Sequence, residues 1–197
     1  MVIRLLLIMR IALFGGAFNP PHLGHLMIAQ QILDFTDTDE VWFLPNYGQV
    51  PPKPVASAED RLAMTQLLNL PATQVSMIEV DNKLGGETVD ILPFLAKEHR
   101  FSFIMGSDQL PTFHLWRDWE KLLKFMPFLV FPRYGFPNEP IYQGMKVVSH
   151  ELLVGSNISS TKIRERVRLG LSIDQFVPPL VAEYVRKQGL YAALTGT

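Results

Sequence analysis

The stretch that decides the fold runs Ile11-Ala12-Leu13-Phe14-Gly15-Gly16-Ala17-Phe18-Asn19-Pro20-Pro21-His22-Leu23-Gly24-His25. Its first four residues are apolar with no polar face, as in a strand covered on both sides. Two glycines follow, which let the backbone turn sharply and approach a ligand closely. Asn19-Pro20-Pro21 stiffens the turn. Over 22–35 the spacing becomes helical, with Leu26, Ala29, Ile32 and Leu33 on one face. The unit is a strand, a glycine loop and a helix that opens on two histidines.

The same alternation continues outward. Residues 41–44 read as a second strand and 45–54 as a loop rich in proline and glycine. Ser57 with Asp60 resembles a capping box that opens a helix through residue 70. Strands are expected at 75–80, 101–105, 128–131 and 145–148, and helices at 89–98, 116–125, 161–169 and 179–188, with Gly189 as the last C-cap. Pro93 is tolerable if it lies in the first turn. Strands alternating with helices imply an α/β fold, a parallel sheet with helices on both faces. No repeat or long linker divides the chain. It reads as one domain over 1–197, a core at 9–150 and a small helical C-terminal part at 151–197. In such sheets ligands bind beyond the carboxyl ends of the strands. The loops after the first, second, fourth and last strands are therefore where chemistry is expected.

Composition bounds the rest. With 18 basic and 19 acidic residues the net charge is −1, so bulk charge predicts no nucleic-acid surface. There is no cysteine, which excludes disulfides, thiolate metal sites and thiol nucleophiles and is compatible with a reducing cytoplasm. Residues 1–13 are almost entirely apolar, interrupted by Arg4 and Arg10. They run into the glycine loop without a small-residue cleavage site and are too short to cross a bilayer. A buried strand is expected there, with Met9 a candidate natural start. No membrane partner is expected.

His22 and His25 lie three apart at a helix start, so both rings face the positive end of the helix dipole. Gly24 leaves space between them, and free N–H groups of the first turn can hold phosphate oxygens. An ordinary tight turn and a zinc pair are the competing readings; no third zinc ligand is evident nearby. Far along the chain, Ser156-Asn157-Ile158-Ser159-Ser160-Thr161-Lys162-Ile163-Arg164 offers serine N-caps and, one turn in, an arginine able to fork onto phosphate. A plain cap with a solvated arginine is its alternative. Arg166 and Arg168 read as solvated helix charges. Gly106-Ser107-Asp108 follows the fourth strand, where a carboxylate can accept from ribose hydroxyls or cap the next helix. Trp116 and Trp119, three apart, suggest core packing. Lys53 stands in the loop after the second strand, and Arg61 reads as structural.

The first loop resembles the HxGH signature of the nucleotidyltransferase superfamily, and its surroundings resemble bacterial nicotinate mononucleotide adenylyltransferases, over about residues 11–191. That resemblance implies a Rossmann-like, doubly wound sheet and transfer of AMP from ATP to nicotinate or nicotinamide mononucleotide. It implies ATP contacts at Gly15, Gly16, Phe18, His22, His25 and, through a segment resembling ISSTxIR, at Ile158, Ser159, Ser160, Thr161 and Arg164. His22, His25 and Arg164 would be the catalytic set, with Mg2+ accompanying ATP and no protein metal site. Acceptor contacts are implied for Asn19, Lys53, Thr88, Asp108 and Trp116, leaving Trp119 structural. The usual histidine before Lys53 is missing. Gly86 and Glu87 replace the family's serine and tyrosine before Thr88 and Asp90. A glutamate near the nicotinate carboxylate is repulsive unless it points away, so Glu87 is expected to favour an uncharged pyridine amide. Sister adenylyl- and cytidylyltransferases, phosphopantetheine adenylyltransferase among them, and a non-catalytic nucleotide-binding module are the alternatives. A homo-oligomer stays open.

Overall fold

In the computed structural model, which describes residues 8–48 and 56–193, the elements are laid out by the alternation just read. They are β1 (Arg10–Gly16), α1 (Leu23–Phe35), β2 (Glu40–Pro45), α2 (Ala58–Gln66), β3 (Thr73–Val75) and α3 (Ile78–Asp81). A 3-10 segment (Thr88–Phe94), β4 (Arg100–Gly106), a second 3-10 segment (Ser107–Leu115), α4 (Trp119–Phe125), β5 (Phe128–Phe131) and β6 (Met145–Val147) follow. The chain then forms α5 (Ser160–Arg168) and α6 (Pro179–Lys187).

The strands form one sheet in the order β3-β2-β1-β4-β5-β6, every pairing parallel. Sequence order reverses direction between β1 and β4, so a crevice opens beyond Gly16 and Gly106. Side chains alternate across the sheet. Ile11, Leu13, Phe103, Met105, Phe128 and Val130 pack on one face, against Val89, Ile91, Phe113 and Leu122. Ala12, Phe14, Phe43, Ile104, Leu129 and Phe131 pack on the other, against Ile28, Ala29 and Ile32 of α1. Ile32 is fully buried, and a side chain of that kind stabilises by about 1.5–3 kcal/mol. A third cluster joins Ala56 and Met64 to Ile163, Ile173, Val177, Val181, Ala182 and Val185, so the C-terminal helices rest on α2.

The exceptions have local causes. The expected face of α1 is rotated: Gly24, Ile28, Ala29, Gln31 and Ile32 are its buried residues, with Leu26 and Leu33 at the margin. The strand expected at 75–80 ends at Val75. It is an edge strand bonded only to β2, and Ser76 turns the chain by accepting from the Ile78 N–H at 3.4 Å. The helix expected at 89–98 is a 3-10 segment, because Pro93 lies late in it and has no N–H to extend an α-helix. The helix expected from Trp116 begins at Trp119; Asp118 takes a left-handed conformation (φ 52°) and breaks it from the preceding 3-10 segment. α2 stops at Gln66. At the far end the reading holds: Gly189 (φ 61°) follows α6, its N–H donating to Arg186 O and that of Leu190 to Val185 O. Of the N-terminal apolar run, residues 1–7 lie outside the described residues, as does Lys53 in 49–55.

Candidate active site

The site is built where β1 ends. Phe18 adopts φ 46°, rare for a bulky residue, and turns its ring under the loop, edge-on to Phe14 and Phe43. His22, extended at φ −148°, ψ 169°, caps α1. Its N–H donates to His25 Nδ1 at 3.1 Å, and the His25 N–H donates to His22 O at 2.9 Å. The two imidazoles stack with centroids 3.7 Å apart and planes 21° apart. Gly24 permits this: a Cβ there would lie 3.0 Å from His22 Nδ1. Gly15 is required for another reason, since a Cβ would lie 2.8 Å from the Phe103 ring.

Electrostatics fix the protonation of the pair. Burial, then the positive charge of Arg133, lowers the His22 pKa to about 4. His25, set among the Phe14 and Phe18 rings, is held well below the ordinary range by desolvation, then by His22 and Arg133. Both are therefore neutral near pH 7. Because His25 Nδ1 accepts a hydrogen bond, its proton sits on Nε2, which is left as a donor. His22 Nδ1 is buried and has no partner among the described residues.

These shifts predict an acid-sensitive fold. Below 6.5 the unfolded chain protonates its histidines while the folded pair does not, so stability is intact above 6.5 and declines as pH falls toward 4. The melting temperature should drop across that window, and less so in a His22→Asn, His25→Asn double variant. Equal slopes in the two proteins would remove the histidines as the cause.

The distal segment docks directly on this loop. Ser159 caps α5, accepting from the Lys162 N–H at 3.3 Å. The Ser160 hydroxyl donates to Pro20 O at 2.8 Å, and Arg164 donates through Nη1 to Asn19 O at 2.8 Å and through Nη2 to Thr161 Oγ1 at 3.2 Å. Ile158 Cβ stands 3.7 Å from where a Gly24 Cβ would be. Beside the clamp opens a cavity of about 1330 Å³ lined by Lys162, Arg164, Arg166 and Arg168 among others. Arg166 is held rather than freely solvated, donating to Ser172 O and lying over the Phe176 ring, while Arg168 is a solvated charge paired with the equally exposed Glu165. The Asn19 side chain is a buried keystone, its Oδ1 accepting from the Ala56 N–H at 3.2 Å and the Tyr191 hydroxyl at 2.7 Å.

Across the crevice, Asp108 follows β4. Its Oδ1 lies 3.5 Å from Arg133 Nε; both atoms are buried and lack hydrogen-bond partners. The Ser107 hydroxyl oxygen accepts from the Arg133 N–H at 2.9 Å. A Cβ on Gly106 would collide with Asp108, so the glycine is what lets this carboxylate fold back. Arg133 escaped the sequence reading. Its signal was position: it stands just past β5, whose Phe131 is in register with Gly106.

The remaining candidates form a second group. Thr88 opens the 3-10 segment; Asp90, within it, pairs with Arg117, beside Trp116. The Arg117 pKa is raised first by Asp90, and the charges of Glu87 and Asp118 add to it. Trp116 is half-buried against Phe103, Phe113 and Phe128, and Trp119 against Phe113 and Tyr142. Among the described residues no three His, Asp or Glu side chains converge to hold a metal ion, and no helix is long and apolar enough to cross a membrane.

Residues 13–166 match the family model described as cytidylyltransferase-like, which makes the chain a nucleotidyltransferase. It is 36% identical over 196 residues to a protein of Geobacillus kaustophilus named "Probable nicotinate-nucleotide adenylyltransferase", covering 95% of this chain and 88% of that one. A protein of the same name from Halalkalibacterium halodurans is 36% identical over 197 residues, covering 92% and 91%. The fold is similar to that of Plasmodium falciparum nicotinic acid mononucleotide adenylyltransferase complexed with NaAD, with TM-score 0.78 and 21% identity, covering 93% of this chain and 97% of that one. The chain belongs to the nicotinate-nucleotide adenylyltransferase family.

Proposed function

We propose that the chain transfers AMP from ATP to nicotinate mononucleotide, forming the dinucleotide and pyrophosphate in NAD biosynthesis. The observation that carries this reading is the docking of Ser160 and Arg164 on the carbonyls of Pro20 and Asn19, beside the histidine pair. One cradle thus joins two groups of phosphate-seeking donors that lie about 140 residues apart.

The acceptor's phosphate oxygen attacks the α-phosphorus of ATP and the bond to pyrophosphate breaks. A phosphate is already anionic at neutral pH, so no strong general base is needed. Catalysis rests on positioning and on donors aimed at the charge that develops. His25 Nε2–H and His22 serve the α-phosphate. Arg164, Ser159, Ser160 and Thr161 hold the leaving pyrophosphate, with Ile158 and the backbone of Gly15, Gly16 and Phe18 framing the nucleotide. Asp108 accepts from ribose hydroxyls, and Arg133, tied to Asp108, adds positive charge over the crevice. Thr88 and Trp116 receive the pyridine ring, with Lys53 assigned to the acceptor phosphate and Asn19 acting chiefly through the loop it anchors. The groups around the loop are imidazole and guanidinium nitrogens, poor partners for a hard cation, so Mg2+ enters with ATP, held by phosphate oxygens and water. No membrane or nucleic-acid partner is invoked, and a single catalytic unit located in the cytoplasm suffices.

Glu87 works against the acid, and Arg117, whose ion-pair partner is Asp90, offsets that charge only in part. Glu87→Gln should then raise the ratio of kcat/KM for nicotinate over nicotinamide mononucleotide by about two- to fivefold, the scale of an exposed charge. An unchanged ratio removes Glu87 from specificity. Pyrophosphate release measured with ATP plus nicotinate mononucleotide, nicotinamide mononucleotide or phosphopantetheine tests the whole reading. Release with phosphopantetheine alone overturns the acceptor, and ATP binding without release from any of them overturns the enzyme.

A further inference from the structure

Behind the acceptor side lie two buried charged groups that the reaction does not use directly. Arg61, on α2, is 1% exposed. It donates through Nη1 to Ala17 O at 3.1 Å and Asn46 O at 2.5 Å, and through Nη2 to Tyr47 O at 3.1 Å. One guanidinium thus gathers the loops after β1 and β2. Glu79, on α3, is also 1% exposed, and the backbone N–H groups of Tyr47 and Gly86 favour its ionised form. Its own carbonyl accepts from the Leu84 N–H at 2.9 Å, and Leu84 O accepts from the Gly48 N–H at 3.0 Å. A Cβ on Gly48 would collide with the Gly85 carbonyl, so the loops 46–48 and 84–86 touch backbone to backbone.

Two atoms of this hub are orphaned. Arg61 Nε and Glu79 Oε2 are buried without hydrogen-bond partners. They are opposite in charge, and each weakly favours the other's ionised form. Leaving such groups buried costs stability unless they are paired. Buried charges used only for folding are often replaceable by apolar groups at no cost. These instead lie against the backbone of the loops after β1 and β2 and of the 84–86 turn. We propose that Arg61 and Glu79 are positioning residues that fix the loops 46–48 and 84–88 relative to each other, and so set where Thr88 and the pyridine ring of the acceptor stand. This rests on the reading of Thr88 as an acceptor contact. Burial raises the Glu79 pKa, as does the charge of Asp90, while Tyr47 N–H, Gly86 N–H and Arg61 favour the ionised form.

Glu79→Gln keeps the shape and removes the charge. The variant should raise the KM for nicotinate mononucleotide about tenfold, the scale of a sub-ångström misplacement. The KM for ATP and kcat should stay within about twofold, because uniform acceptor binding is what is lost. Hydrogen exchange at the Tyr47 and Gly86 amides should speed up, while that of α1 stays unchanged. Arg61→Lys, which loses the fork, should raise the acceptor KM at least as far. An unchanged acceptor KM in the folded Glu79→Gln protein, or equal rises in both Michaelis constants, overturns the proposal. If the parent protein turns over no pyridine mononucleotide, the functional reading falls. Amide exchange still decides the hub, and equal protection in parent and variant overturns it.

Discussion

His25→Ala should lower kcat by roughly 10²- to 10³-fold, the cost of removing one preorganised donor from a transition state. The argument is about a proton's location. His25 Nδ1 accepts the His22 N–H, and desolvation keeps the ring neutral, so Nε2–H is the donor that remains. Folding should lose less than catalysis does. The lost bond to the His22 N–H costs about 1 kcal/mol, a few degrees of melting temperature. Steady-state pyrophosphate release and thermal unfolding on the same preparation read both. If kcat holds and only the KM for ATP rises, the imidazole binds the ground state and is not catalytic. Full activity ends the role altogether.

How far this was legible in the sequence differs by element. The parallel sheet was readable because its strands are buried on both faces and therefore apolar without alternation, as 11–14, 41–44, 101–105 and 128–131 are. The edge was not. Residues 75–80 are also mostly apolar, though Ser76 and Glu79 interrupt them, and β3 needs only one partner and gives way to a turn of helix at Ile78. Pro93 was the warning at 89–98: it lies inside a 3-10 segment, where one missing N–H matters less than in an α-helix.

The site splits in the same way. His22, Gly24, His25 and the Ser159–Arg164 segment are contiguous motifs whose spacing itself states a geometry. Arg133, Arg61 and Glu79 carry no such spacing. Arg61 read as structural because nothing local shows that its guanidinium reaches carbonyls at Ala17, Asn46 and Tyr47. Asn19 shows the converse. Its place in the motif marked it as an acceptor contact, while its side-chain oxygen is occupied by Ala56 and Tyr191. Only the tertiary fold reveals which polar atoms are already satisfied.

Gly24→Ala should stabilise the helix and impair the enzyme, and that opposition makes it the sharper test of the stacked pair. Gly24 sits in the first turn of α1 at ordinary negative φ, where alanine is favoured over glycine by up to about 1 kcal/mol. Yet the new Cβ would lie 3.0 Å from His22 Nδ1 and 3.1 Å from its Cε1. Such contacts require the ring to give way by a few tenths of an ångström. It cannot do so alone, since it stacks on His25 at 3.7 Å, and His25 abuts Phe18 at 4.9 Å between centroids. The displacement therefore passes to both imidazoles. A shift of that size at the reacting phosphorus should lower kcat by about ten- to a hundredfold, while the melting temperature holds or rises. Loss of activity with loss of stability would point to general damage to α1. Full activity in a stabilised protein would mean the ring positions are not what the reaction depends on. Only lower kcat in an equally or more stable protein isolates the geometry of the histidines as the cause, because no unfolding explanation survives a melting temperature that has not fallen.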